Sequence, residues 1–208
     1  DVYKRQLLRK GFGITINVCF AIAFYLGVFA EPVVVFISGE AFIGAAQPVR
    51  IIGFVNLISC MSYFIGLCIL TPLGRERQLA ASNMIGVPVS VALNFLLDPV
   101  YGATGAALAL LFSEVLIFCV QAWCSKDILA RFVRLADVLR VLFSNVLGAI
   151  VAALCVWAAG RLGWDSAAIA AFLGFSLFFV VDVAAAYLLG DQTARMICGY
   201  IGGKLFRR

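Results

Sequence analysis

The stretch Gly102–Trp123, GATGAALALLFSEVLIFCVQAW, decides how this chain is read. It is long enough to cross the hydrocarbon core of a bilayer, which takes about 20 apolar residues, and it holds one carboxylate, Glu114, near its middle. An unpaired charge in hydrocarbon is costly, so a chain that keeps one there has a partner or a water-filled cavity for it. A second acid, Asp182, sits in the same way within Ser166–Gly190. The two acids suggest a transport pathway.

Outward from that stretch the composition agrees. Of 208 residues, 64% are hydrophobic and only 13% are charged, with a mean hydropathy of +1.06. A soluble domain of this size has too little interior to hide so much apolar surface. The expected fold is an all-α integral membrane protein with six transmembrane helices: Gly11–Ala30, Ile51–Gly74, Gln78–Leu97, Gly102–Trp123, Val141–Gly160 and Ser166–Gly190.

Flanking charge sets the orientation, because Lys and Arg are retained on the cytoplasmic side. With the first span starting inside, the inner flanks hold Arg9, Lys10, Arg75, Arg77, Lys126, Arg131, Arg134, Arg140, Arg195, Lys204, Arg207 and Arg208. The outer flanks hold only Arg50 and Arg161 among basic residues, against Glu31, Glu40, Asp98 and Asp165. Both termini are therefore expected in the cytoplasm. The net charge of +5 is read as this topology signal; no nucleic-acid surface is inferred from it.

Asp1–Gln6, DVYKRQ, has no starting Met and is polar where the rest is apolar. It resembles the translation of a sequencing-library adapter, which excludes it from fold reasoning, and the chain is accordingly expected to be a fragment truncated at its N-terminus. The seven cysteines show no Cys-x-x-Cys spacing and the chain has no His, so neither a metal site nor a disulfide is expected.

The connections carry further expectations. Glu31–Arg50, broken by Pro32, Gly39, Gly44 and Pro48, reads either as an outer loop dipping into the interface or as a helix extension followed by a surface turn. Lys126–Arg140 alternates charge with Ile128, Leu129, Phe132, Val133, Leu135 and Leu139, the pattern of an amphipathic cytoplasmic helix on lipid headgroups. That helix is a topological anchor or, more sharply, a landing strip for an anionic lipid-linked substrate. The basic tail 191–208 receives no chemistry.

Polar stripes mark the spans. Asn56, Ser59 and Tyr63 share one helix face, as do Asn83, Ser90 and Asn94, with Pro88 between them expected to bend that helix and free a carbonyl. Glu114 and Gln121 align in the next span, with apolar Phe118 between. Three neighbouring stripes would enclose a hydrophilic lumen. The competing reading is helix–helix adhesion, the stronger one for any single Ser or Asn. For Asp182, the partner proposed from its depth is Asn145.

Asn94–Glu114, NFLLDPVYGATGAALALLFSE, resembles a motif of bacterial flippases for lipid-linked oligosaccharides, members of the superfamily that also holds multidrug and toxin extrusion transporters. The matching positions are Asn94, Leu97, Pro99, Gly102, Gly105, Ala106, Ala107, Ala109, Ser113 and Glu114. Pro99 is read as ending one helix, and Gly102 and Gly105 as making the outer turn. Phe36–Gly44 and Pro72–Gln78 resemble flanking segments of the same proteins. The resemblance implies that 7–125 is four helices of the C-terminal lobe of a two-lobe transporter, that 141–190 is an added helix pair, and that a missing N-terminal lobe belongs to the same chain.

The implied function is movement of an undecaprenyl-diphosphate-linked sugar across the bacterial inner membrane by alternating access, for surface polysaccharide synthesis. Arg9, Lys10, Arg75 and Arg77 are the candidates for the diphosphate, and Arg50 for the headgroup outside. Asn56, Ser59, Tyr63, Asn83, Ser90, Asn94 and Glu114 are the candidates for sugar hydroxyls. No cofactor is expected beyond H+ or Na+ coupling through Glu114 or Asp182. A cation-coupled drug exporter is the nearest rival. A membrane-embedded polyprenyl-sugar transferase is disfavoured, because grouped carboxylates or His for a metal or base are missing. A structural subunit is the remaining alternative.

Overall fold

The structure, a computed structural model, describes residues 2–162 and 166–189, with side chains throughout except at 2–6, 131 and 132. Helix α1 spans Val2–Ser38, and a 3-10 turn over Glu40–Ala45 leads into α2, Ala46–Ile65. A wide π turn, Gly66–Leu70, and a short 3-10 turn, Thr71–Leu73, close α2. Then follow α3 (Glu76–Tyr101), α4 (Ala103–Cys124), the short α5 (Lys126–Phe132), α6 (Leu135–Arg161) and α7 (Ala167–Leu188). Six of these segments are long and apolar enough to cross a membrane. The chain is a multi-pass membrane protein by that criterion. Every backbone N–H and C=O in hydrocarbon must be satisfied within its own segment, and a helix does this.

The helix ends refine the sequence-based boundaries. Pro32 lies inside α1, whose one non-helical residue is Phe29 at φ −104°, ψ 19°. Proline lacks the N–H that Val28 would bond and crowds the preceding turn, which accounts for the kink. The helix continues to Ser38, and the exposed turn after it begins at Gly39, φ 86°. Of the two readings of Glu31–Arg50, helix extension plus turn is the one found.

Pro99 does not end its helix. It sits within α3, which runs on to Tyr101 and stops where Gly102 takes φ 56° and donates its N–H to the Asp98 carbonyl at 2.8 Å. Pro88 also lies inside α3 without ending it. Lys126–Arg140 is not one amphipathic helix. Val133 and Arg134 are extended, and Leu135–Arg140 is the opening of α6. Ile128, Leu129 and Val133 pack against Phe64, Ile65, Ile69 and Leu70, so the apolar side of α5 covers protein. The tail 191–208 and Asp165 lie outside the described residues.

Neighbouring contacts show an array in the order α3, α4, α2, α1, with the α6–α7 hairpin packed on α1. The pairings fix direction: Leu97 with Gly105 and Ser82 with Gln121 make α3 and α4 antiparallel, and Phe64 near Gly11 with Phe54 near Gly27 does the same for α1 and α2. Lipid provides no hydrophobic drive for helix association, so backbones must approach closely at small residues. A Cβ at Gly105 would fall on the Leu97 carbonyl, and one at Gly148 would lie 3.2 Å from the Phe178 carbonyl oxygen. An aromatic cluster joins α1 to α7. Tyr25 stacks on Phe29 at 5.3 Å, meets Phe175 edge-on at 5.5 Å, and donates its hydroxyl to the Ala171 carbonyl at 2.9 Å.

Alternating direction gathers Arg9, Lys10, Arg75, Arg77, Lys126, Arg134 and Arg140 at one end of the array. The other end carries Glu31, Glu40, Arg50, Asp98 and Arg161. The Gly105 seat yields a test. Gly105→Leu is expected to cost about 1–3 kcal/mol or more through overpacking, whereas Gly44→Leu, where a Cβ meets nothing within 4 Å, should stay within about 0.5 kcal/mol. Thermal unfolding in detergent micelles measures both.

Candidate functional site

Helix phase decides where the polar stripes point. On α4, Ser113 and Ile117 face Gly86 of α3, while Phe118 packs against the two clusters that hold Met61 and Phe64 of α2. Glu114 falls between those two contact edges, since successive residues turn by about 100°. Its carboxylate therefore enters the crease between α2 and α3, where it is half-buried. It has no hydrogen-bond or ion-pair partner among the described residues.

On α2, Gly53 and Phe64 form the edge toward α1, and Ile65, with Ile69 of the wide turn beyond it, belongs to the cluster that takes in Phe118 and Ala122 of α4. Asn56, Ser59 and Tyr63 lie on the arc that these edges leave open. Because α2 runs parallel to α4, that arc turns to the same side as Glu114. On α3, Ser82, Gly86 and Leu97 form the contact edge to α4. Asn83, Ser90 and Asn94 lie next to it, again toward the crease. Phe118 packs against the cluster that holds Met61, and Gly86 lies by Ser113 and Ile117, which puts Ser59, Ser90 and Glu114 at similar depth. Tyr63, 68% exposed, and the exposed Asn83 stand at the rim.

The stripes are partly satisfied within their own helices. Asn94 donates from Nδ2 to the Ser90 carbonyl at 2.7 Å, and the Cys60 thiol reaches Asn56 Oδ1 at 3.8 Å. Those bonds leave the Asn94 carbonyl oxygen and the Asn56 amide group with capacity for a further partner. Gln121 departs from its expected place beside Glu114. It is 2% exposed and donates from Nε2 to Ser82 Oγ at 3.1 Å, joining α3 to α4. Ser82 in turn donates to the Leu79 carbonyl at 2.7 Å. Sequence reasoning passed over Ser82, because one serine in an apolar span reveals a partner only when the facing helix is known.

The basic candidates separate into two groups. Arg9 pairs with Asp137 at 3.1 Å, and Asp137 also meets Arg140 at 3.5 Å. Arg75 donates to the Cys124 carbonyl at 3.0 Å, satisfying a free carbonyl at the end of α4. Arg50 pairs with Glu31 at 2.6 Å across the other end of α1 and α2. These three arginines hold helix ends together. Lys10 and Arg77 are exposed at the basic end and make no ion pair among the described residues.

Asp182 and Asn145 lie away from the crease, in the α6–α7 contact, 5% and 0% exposed. Asn145 donates to its own helix, to the Val141 carbonyl at 2.8 Å. Asp182 packs on Gly148, one turn further along α6, its Cβ 3.4 Å from where a Cβ at 148 would lie. The interface thus brings the two residues onto facing surfaces.

No protein-family model, curated protein or solved structure matches this chain. The functional reading therefore rests on the geometry of the crease.

Two substitutions distinguish adhesion from lining. Gln121→Leu removes an interhelical hydrogen bond and is expected to lower stability by about 1 kcal/mol. Glu114→Gln removes a charge that has no partner among the described residues and should leave stability within about 0.5 kcal/mol. Unfolding curves in detergent compare the two directly.

Proposed function

We propose that the chain is part of a membrane transporter that moves an anionic lipid-linked sugar from one leaflet to the other, as the resemblance of Asn94–Glu114 to lipid-linked oligosaccharide flippases implies. The observation that carries this reading is the crease itself. Asn56, Ser59, Tyr63, Asn83, Ser90 and Asn94 are turned to one side around Glu114, where amide, hydroxyl and carboxylate groups are available to sugar hydroxyls. Lys10 and Arg77, exposed at the basic end, are suited to a diphosphate. On this reading the basic end faces the cytoplasm of a bacterial inner membrane, the remaining wall of the cavity comes from an N-terminal lobe of the same protein, and H+ or Na+ couples the cycle.

A cation-coupled drug exporter is the second reading, favoured by one observation. Glu114 is an acid in the span without a partner among the described residues, and an intramembrane carboxylate marks an ion pathway by default.

Glu114→Gln and Asn94→Leu, assayed for lipid-oligosaccharide translocation and for dye export, separate the readings. The flippase reading expects each to reduce translocation at least tenfold at unchanged protein abundance, with dye export absent throughout. Dye export by the parent that Glu114→Gln abolishes would replace it with the exporter reading.

A further inference from the structure

We propose that the contact between Gly66 and Leu79 is the gate that closes the crease at its basic end, with the wide turn Gly66–Leu70 as its hinge. The proposal rests on reading the crease as a lumen. α2 and α3 are the two walls of the crease, and α4 is its floor. At the basic end the walls meet: a Cβ at Gly66 would lie 2.8 Å from Leu79 Cδ1, so the leucine side chain rests directly on the glycine backbone there. Beyond that point α3 is held to α4, by Ser82 with Gln121, by Gly86 beside Ile117, and by Leu97 on Gly105. The crease is thus pinched at one end, below the level of Ser59 and Glu114.

The backbone at the pinch is built to change. In the wide turn the Thr71 N–H reaches the Gly66 carbonyl, and Thr71 Oγ1 donates to the same oxygen at 2.9 Å. Pro72 follows and offers no N–H to the Cys68 carbonyl, so an α-helical turn here would lack one ladder bond and has less advantage over the wide turn. Such π turns recur at functional sites. Past the hinge the chain is fixed again. Gly74 takes φ 68°, the Arg75 N–H donates to the Leu70 carbonyl at 2.9 Å, and the Arg75 guanidinium holds the Cys124 carbonyl. Moving the extra residue of the π turn toward the N-terminus of α2 rotates the residues it passes by about 100°, which carries Gly66 off Leu79 while the anchored segment and the rest of α2 stay in place.

Sided labelling tests the gate without any cargo. Ser59→Cys is introduced into the protein with its native cysteines replaced, and a membrane-impermeant maleimide is applied to sealed vesicles of both orientations, calibrated with Arg77→Cys as the marker of the basic end. Ser59→Cys is expected to label from the opposite end and at least tenfold more slowly from the basic end. Adding Leu79→Ala, or the smaller cut Leu79→Val where alanine prevents accumulation, should raise basic-end labelling at least fivefold. Equal labelling from both ends before Leu79 is changed overturns the gate and leaves the lumen standing, as does an unchanged basic-end rate after it is shortened. Labelling from neither end overturns the lumen, and the gate with it.

Discussion

Hydrocarbon offers the backbone no hydrogen-bond partner, and every feature of this molecule is built within that constraint. Helices satisfy it segment by segment, which leaves association to van der Waals packing and a few polar contacts. The glycine seats follow from this. Gly105 lies under the Leu97 carbonyl, Gly148 against Phe178 and Asp182, and Gly174 under the ring of Phe29, where a Cβ would come within 2.7 Å of that ring. Among the described residues, the α-helical ladder is disturbed at Phe29, before Pro32, and at the wide turn before Pro72.

Polar side chains divide their labour under the same rule. Those in interfaces bond across or within helices: Gln121 to Ser82, Tyr25 to Ala171, Asn145 to Val141. Ion pairs sit at the helix ends, where Arg9 with Asp137 ties the start of α1 to the start of α6, and Arg50 with Glu31 ties the far ends of α1 and α2. At the surface such pairs add little to stability, so their value is in register. In the crease, half-buried and exposed polar groups keep capacity for further partners around Glu114.

The spans and their alternation were legible in the residues, because helical periodicity and the 30 Å scale of the bilayer act locally. The boundaries were less so. Pro99 looked like a stop because proline removes an N–H, yet it forfeits a single ladder bond, to the Phe95 carbonyl, and the helix runs on until Gly102 ends it. Lys126–Arg140 looked amphipathic throughout, but its apolar residues are drawn onto Phe64 and Leu70, which no local pattern reveals.

Composition and charge by themselves determined a multi-pass helical membrane protein with one basic end, since burial in lipid and the placement of Lys and Arg depend only on what each segment contains. Which polar residues hold helices together and which line a crease was decided by tertiary structure alone. Gln121 and Glu114 occupy one stripe in sequence, yet about 20° of helix phase sends the first into Ser82 and the second toward the open space between α2 and α3. Partnership depends on the facing helix, and that helix is chosen by packing.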